Sequence, residues 1–185
     1  MLEPVFSPFP GLITERLILR SIERTDAPEI LFLRSDDAVM QFIDREKTKS
    51  LEEAEAFINK IKTAAETNEG IMWAIALIDQ PNVLIGTIGF WRLIKQHYRA
   101  EVGYMLHPDH WNKAIMKEAL QAVIKYGFET MKLHSIEAHI NPRNVASGVL
   151  LEKCGFTREA YFKEDYYFRG EFIDSAVYSL LEKSK

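Results

Sequence analysis

Three apolar runs follow one another in the middle of the chain, and they constrain the fold more than any other feature. The runs cover residues 72–78, 83–91 and 98–106, and each has the length and composition of a β-strand. The connections between them are short, and residues 79–82 (Asp-Gln-Pro-Asn) have a composition typical of turns. Because short connections join antiparallel neighbours, we expect an antiparallel meander.

Helical segments stand before and after this meander. Apolar residues at helical spacing predict four helices, which begin after Asp26, after Ser50, near Lys113 and after Asn144. Asp26 and Ser50 are each followed three residues later by a glutamate, the pattern of a capping box. Further strands are predicted over residues 16–20, over 135–140 and, as a hairpin around 169–170, within 156–181. This order predicts an α+β fold with a central, mostly antiparallel sheet.

Size and composition narrow the classes of protein. The chain has 185 residues, which fits one domain. Its single cysteine, Cys154, excludes an internal disulfide, and the net charge of −4 gives no sign of a nucleic-acid-binding domain. No run approaches the roughly 20 apolar residues of a membrane span. The first ten residues contain three prolines and no basic segment, so we expect neither a signal peptide nor a helix there, and a cytoplasmic protein.

Two stretches carry residues that packing alone does not require. Residues 103–119 read as a strand, a short loop and the start of a helix. A helix start presents free N–H groups and the positive end of the helix dipole, which together suit a pyrophosphate. The alternative is a loop that only caps the helix. The second stretch, residues 141–156, begins with Asn141-Pro, a turn sequence, and continues with Asn144, a residue type common at helix N-caps.

Together with Thr14-Glu-Arg-Leu-Ile-Leu-Arg20, these stretches resemble the GNAT superfamily of N-acetyltransferases, and in particular its ribosomal-protein (RimJ/RimL) branch. The resemblance runs from Ile13 to the final strand. It implies one acetyltransferase domain over residues 1–185, with residues 1–12 as an N-terminal arm. It also implies a GNAT-type fold, in which helices flank both faces of a mixed, mostly antiparallel, twisted sheet. The implied reaction is direct attack of a primary amine on acetyl-CoA, the cosubstrate, in a ternary complex.

In the family, a Gln/Arg-x-x-Gly-x-Gly/Ala loop holds the diphosphate of acetyl-CoA, and the matching window here is 109–114. Asn112 replaces the first glycine, although asparagine tolerates a left-handed φ better than most residues. Asp109 adds like charge near a phosphate, which Lys113 and Lys117 can offset. The resemblance implies that the cofactor contacts are Met105, Leu106, His107, Trp111, Asn112, Lys113, Ala114, Asn141 and Asn144.

Acetyl transfer to an amine needs a base, donors for the oxyanion and an acid for the departing thiolate. Glu101, on the third strand of the meander, is the candidate base, and the alternative is a solvated strand carboxylate. The resemblance implies an oxyanion contact from the N–H near Met105 or Leu106. Leucines occupy 150–151, where many members have a tyrosine acid, so the RimJ/RimL branch suggests Ser147 instead. The alternative for Ser147 is a small residue packed on the sheet.

Histidines provide two further candidates, one for a metal and one for the base. His107, Asp109 and His110 share one loop, but no second pair of ligands stands at zinc-site spacing, so we expect no metal site. His139 is a second candidate for the base, and its alternative is a histidine satisfied within the sheet.

The acceptor is not specified by any motif. We expect a protein N-terminus such as that of a ribosomal protein, bound between residues 35–50 and 161–171. A small amine (a polyamine, an amino acid or an aminoglycoside) is the alternative acceptor, and a coenzyme A-binding module without turnover is the alternative function. Neither a nucleic acid nor a membrane is an expected partner, and the chain is expected to be a monomer or a homodimer.

Overall fold

The protein folds around one sheet. The computed structural model describes residues 1–182, with eight strands and five α-helices. The strands are β1 (Leu12–Ile13), β2 (Leu17–Arg20), β3 (Ile71–Leu77), β4 (Gly86–Ile94), β5 (Arg99–Leu106), β6 (Ser135–Ile140), β7 (Thr157–Phe168) and β8 (Glu171–Leu181). The helices are α1 (Ala27–Leu33), α2 (Asp37–Met40), α3 (Leu51–Glu66), α4 (Ile115–Glu129) and α5 (Val145–Lys153).

The sheet has the strand order β1-β2-β3-β4-β5-β6-β8-β7. All neighbouring strands are antiparallel except β5 and β6, which α4 connects in parallel. A parallel pair needs a crossover of this kind, whereas β3, β4 and β5 follow one another through short connections. The predicted α+β class, the meander and the mostly antiparallel sheet are therefore confirmed.

Helices cover both faces of the sheet, as expected. Alternate side chains of β3 point to opposite faces, so Trp73 packs in the core beneath α4, while Ala74 packs beneath α1 and α3. The N-terminal arm joins the first of these cores through Leu2 and Phe6, and Pro10 O accepts a hydrogen bond from Trp73 Nε1 (2.6 Å). Within residues 1–182, no helix is long and apolar enough to cross a membrane.

Two local features follow from backbone geometry. Gly89 lies so close to β3 that a Cβ atom there would stand 2.2 Å from Ile71 O, a close backbone approach that only glycine permits. The helix predicted from about Lys113 begins later, at Ile115. Its start is displaced because Ala114 has a φ of +58° and is outside the right-handed helical region.

Asp26 plays a different part from the one its position suggests. It precedes α1, but its carboxylate does not cap that helix. It is buried, and it accepts two hydrogen bonds from the Arg20 guanidinium (2.8 and 2.7 Å) and one from the Glu23 N–H (2.7 Å). A bidentate pair of this kind is directional, so Asp26 ties the end of β2 to the start of α1.

We expect Asp26→Ala to lower the free energy of unfolding by about 2–3 kcal/mol, because it leaves the Arg20 guanidinium without its charged acceptor. Urea unfolding followed by circular dichroism measures the change. The matched control is Glu55→Ala, which removes the carboxylate of the exposed Arg24–Glu55 pair and should leave the midpoint unchanged. Equal midpoints for the two variants would contradict this role for Asp26.

Candidate active site

The site lies where two neighbouring strands part. β5 and β6 are paired at only three positions, of which Glu101–Glu137 is the last, and beyond it residues 1–182 show no further pairing between the two strands. A cavity of about 1310 Å³ occupies the gap. Among the predicted site residues, all but His107 and Lys113 line it: Glu101, Met105, Leu106, Trp111, Asn112, Ala114, Asn141, Asn144 and Ser147.

Free backbone N–H groups face this cavity at the start of α4. The loop before the helix turns through two left-handed residues, Asn112 (φ +59°) and Ala114 (φ +58°). In the described chain, the N–H groups of residues 112–117 donate to no protein acceptor. Such a run of unpaired donors at a helix N-terminus is a site for an anion. Asn112 thus adopts the left-handed φ that asparagine tolerates better than most residues.

The N-terminal motif holds this loop in place. Glu118, in the first turn of α4, accepts hydrogen bonds from Thr14 Oγ1 (2.6 Å) and from the Arg16 N–H (2.9 Å), and it forms an ion pair with the Arg16 guanidinium (2.7 Å). Arg16 also donates to Lys113 O (3.1 Å). Burial opposes ionisation of Glu118, but these donors outweigh it and lower its pKa. Since Arg16 offsets the carboxylate, the helix start keeps its positive character.

Two asparagines shape the opposite wall of the gap. Asn144 Oδ1 caps α5 by accepting from the Ser147 N–H (3.1 Å). Asn141 Oδ1 accepts from the Arg143 N–H (3.0 Å), which closes the turn before the helix. Each side-chain oxygen is therefore engaged in local structure, and the cap predicted for Asn144 is confirmed. The amide nitrogen of Asn144 donates to no protein acceptor within residues 1–182.

Glu101 stands at the floor of the cavity, where the strands begin to part. It is 5% exposed, so the solvated carboxylate considered as its alternative is excluded. The nearest guanidinium, that of Arg92, lies 3.8 Å from it. No donor within residues 1–182 makes a hydrogen bond to the carboxylate. Burial raises the pKa of Glu101, and Glu137 raises it further, while His139, Arg92 and Arg45 oppose the shift.

Glu137 and His139 complete a cluster with Glu101. Candidate ligand atoms of the three side chains all lie within 4.8 Å of one another. His139 Nε2 stands 3.8 Å from Glu137 Oε1, and Arg99 pairs with the other Glu137 oxygen. Arg99 thus pairs with Glu137, whereas Arg92 approaches Glu101 only to 3.8 Å. The pairing of β5 with β6 brings these three side chains together. Their separation along the chain gives no sign of this proximity.

A second polar pair faces the cavity from opposite walls. Tyr104, on β5, and Ser147, in the first turn of α5, place their hydroxyl oxygens 2.8 Å apart. Ser147 is buried, and burial raises the pKa of Tyr104 to about 12, although the hydrogen bond with Ser147 opposes the shift. Packing is therefore not the only role of Ser147 in the structure. The sequence analysis proposed no role for Tyr104 and so missed this pair.

The far end of the cavity is framed by the two predicted acceptor segments. The tip of the β7–β8 hairpin reaches the loop after α2, where Tyr166 Oη donates to Asp44 O (3.1 Å) and Arg169 pairs with Glu46 (3.3 Å). Trp91 is 44% exposed and lines this end. A bulge between Phe90 and Arg92 turns its ring outward.

Two predicted contacts lie outside the cavity lining. The His107 ring stacks on Phe32, with ring centres 4.4 Å apart, and its Nδ1 accepts from the Asp109 N–H (3.2 Å). Lys113 contributes its carbonyl to Arg16. Neither residue lines the cavity, which the order of residues alone does not reveal.

Comparison with known proteins adds to this geometry. Residues 16–157 match the family described as Acetyltransferase (GNAT) domain. The chain belongs to the GNAT acetyltransferase family. This GNAT enzyme is 38% identical over 174 residues to the uncharacterized N-acetyltransferase YoaA of Bacillus subtilis (strain 168), an alignment that covers 94% of this chain and 98% of YoaA.

Solved structures, and a further relative compared by sequence, agree with that assignment. A GNAT-family acetyltransferase from Bacillus anthracis superposes with a TM-score of 0.82 at 34% identity, covering 93% of this chain and 98% of that one. The spermidine N-acetyltransferase from Vibrio cholerae, solved with CoA and spermine, has a TM-score of 0.80 at 25% identity and covers 91% and 96%. The [ribosomal protein uS5]-alanine N-acetyltransferase of Escherichia coli is 33% identical over 98 residues, which is 52% of this GNAT chain and 50% of that enzyme. The predicted family and fold are confirmed.

We expect Ala114→Gly to raise the free energy of unfolding of this GNAT domain by about 1 kcal/mol, because glycine adopts a left-handed φ without the strain that a Cβ atom causes. Urea unfolding measures the change. Ala122→Gly, in the regular part of α4, is the matched control and should lower stability by about 1 kcal/mol. A loss of similar size in both variants would contradict the left-handed conformation of Ala114.

Proposed function

We propose that this GNAT enzyme, acting as one acetyltransferase domain over residues 1–185, transfers the acetyl group of acetyl-CoA to the amine of a protein N-terminus, as in the RimJ/RimL branch. The observation that carries the proposal is the gap between β5 and β6, which joins a row of free N–H groups to a buried carboxylate. Amine and thioester meet there directly, without a covalent enzyme intermediate.

The wall formed by α4 would hold the nucleotide end of the cosubstrate. Free N–H groups at 112–117 suit the diphosphate, and Lys117, which lines the same cavity, adds positive charge. The pantetheine arm would lie in the open gap, between the unpaired edge of β5 and the asparagines Asn141 and Asn144. When bound, acetyl-CoA supplies an acetyl group activated as a thioester.

One backbone N–H of β5 is suited to the developing oxyanion. His107 N–H donates to Ile85 O on the β4 side (2.8 Å). Because N–H directions alternate along a strand, Met105 N–H also points to the β4 side and Leu106 N–H points into the gap. Between the two predicted donors, this favours Leu106. Met105 then contributes only its side chain to the cavity wall.

Glu101 is proposed as the base that takes the proton of the attacking ammonium, directly or through water. Its carboxylate lies at the floor of the gap without a hydrogen-bond donor in the described chain, so its oxygens are available to the amine. The raised pKa brings it nearer to that of an amine than an exposed glutamate would be. Ser147 is proposed as the acid for the departing thiolate.

A polyamine is the second candidate acceptor, and the cavity itself favours it. Besides Glu101, the carboxylates of Asp44, Asp165 and Asp174 line the cavity, and carboxylates spaced along a cleft can pair with the further ammonium groups of a polyamine. The similarity to an enzyme named for spermidine supports this candidate. Similarity to an enzyme named for the alanine of uS5 supports the protein N-terminus.

Incubation with acetyl-CoA and a panel of amines tests the function. We expect thiol release with peptides that carry a free N-terminus and none with the same peptides blocked at that amine. Thiol release with spermidine but not with peptides would identify a polyamine, and not a protein N-terminus, as the acceptor. A folded sample that binds coenzyme A in calorimetry, yet releases no thiol with any amine, would leave only a binding module.

We expect Glu101→Gln to lower kcat and to remove the acidic limb of the pH–rate profile, because only the ionised carboxylate accepts a proton and its raised pKa sets that limb. The affinity for coenzyme A should stay within about twofold in calorimetry, since Glu101 lies away from the α4 wall. A wild-type pH profile in the variant would assign the base to His139 or to solvent.

A further inference from the structure

We infer that Tyr104 is a positioning residue for acyl transfer, whose hydroxyl orients the Ser147 O–H toward the gap and replaces its proton when the thiolate departs. The inference rests on the proposed function and adds to it a residue that the family resemblance did not indicate. Its basis is the hydrogen bond of 2.8 Å between the two hydroxyl groups, which joins opposite walls of the cavity.

The position of the pair follows from the fold. Tyr104 lies on β5 between the proposed base, Glu101, and the proposed oxyanion donor, Leu106, while Ser147 is anchored from the other wall because its N–H is held by Asn144. Both side chains line the same cavity. The pair therefore bridges the gap at the level where the thioester and the amine would meet.

A count of protons shows why the pair can act on a bound molecule. Each hydroxyl carries one proton, and the two share one hydrogen bond. Within residues 1–182, neither hydroxyl has another protein partner. One proton therefore remains uncommitted. A phenol is a stronger hydrogen-bond donor than an alcohol, so Tyr104 donating to Ser147 is the favoured direction, which leaves the Ser147 proton for the gap.

The same hydrogen-bond direction, with Tyr104 as the donor and Ser147 as the acceptor, lets the serine act as an acid. As the amine–carbon bond forms, the carbon–sulfur bond breaks, and its electron pair stays on sulfur, which takes the Ser147 proton. Tyr104 gives its own proton to Ser147 Oγ, so the negative charge passes to the phenol oxygen, which regains a proton from water. A serine alkoxide is much more basic than a tyrosine phenolate, and the pair avoids forming it. Burial raises the pKa of Tyr104 to about 12, so the tyrosine is protonated at neutral pH.

The test is a double-mutant cycle in the thiol-release assay, with the amine of the panel that the wild-type enzyme acetylates. Tyr104→Phe should lower kcat about tenfold, as expected for the loss of one useful hydrogen bond, and leave the KM for acetyl-CoA within about twofold. Ser147→Ala should lower kcat at least as much. The double variant should be no slower than Ser147→Ala alone, since Tyr104 acts through Ser147.

The matched control is Tyr178→Phe. Tyr178 is also buried, and its hydroxyl packs under Gly148 of the same helix, α5, but outside the main cavity. The Tyr178→Phe variant should keep the wild-type kcat. The comparison therefore distinguishes the loss of a hydroxyl that positions Ser147 from a general destabilisation of α5. Should Tyr104→Phe fail to fold by circular dichroism, Tyr104→Met, which also lacks a hydroxyl, is held to the same expectations.

The outcomes are distinct. A wild-type kcat for Tyr104→Phe, or a double variant whose loss is the product of the two single losses, overturns the inference while the proposed function stands. An equal loss in Tyr178→Phe overturns it as well. A wild type that releases no thiol with any amine overturns the proposed function itself, and the inference with it.

Discussion

The short parallel pairing of β5 with β6 is the constraint on which the rest of the site depends. Backbone hydrogen bonds that elsewhere join neighbouring strands stop after Glu101–Glu137, and the unpaired edges beyond that point border a cavity rather than a core. Buried backbone groups normally find partners, so such an opening persists only where a ligand or solvent reaches it. The same divergence places one carboxylate pair at the floor of the gap and the start of α4 at its wall.

The wall depends in turn on contacts far away in the sequence. Asn112 and Ala114 hold left-handed backbone conformations, which cost free energy for residues with a Cβ atom. Arg16 and Thr14 support the loop through Glu118 and Lys113 O. Asp26 fixes the other end of the same N-terminal segment through Arg20. The Thr-Glu-Arg-Leu-x-Leu-Arg sequence thus links the first strands to the start of α4.

Charge and hydroxyl chemistry are separated along the gap. At the floor, Glu101 and Glu137 are buried next to Arg92, Arg99 and His139, an arrangement that holds a proton acceptor with a raised pKa. Nearer the wall formed by α5, Tyr104 and Ser147 form a neutral pair that can donate. Proton removal from an amine and proton donation to a thiolate need opposite properties, and the proposed function assigns the first to the carboxylate at the floor and the second to the hydroxyl pair.

Much of the fold could be read from local pattern. Apolar periodicity and turn residues placed the meander, the long helices and the final hairpin, because each reflects interactions between residues close in sequence. The cap at Asn144 and the left-handed turn at Asn112 were also predictable, since single residue types carry those preferences. Features that depend on distant residues were not predictable. Asp26 pairs with Arg20 instead of capping α1, and a bulge turns the Trp91 ring outward.

The sequence by itself therefore determined every described strand except β1, every described α-helix except α2, the family, and the identity of the groups proposed to bind a nucleotide or move a proton. Only the tertiary structure decided which of these groups meet. Tyr104 and Ser147, or Glu101 and His139, are dozens of residues apart in the chain, and their contact depends on a parallel crossover and on where two strands stop pairing. Such distances arise from strand order and register, which the side chains of the whole sheet set together.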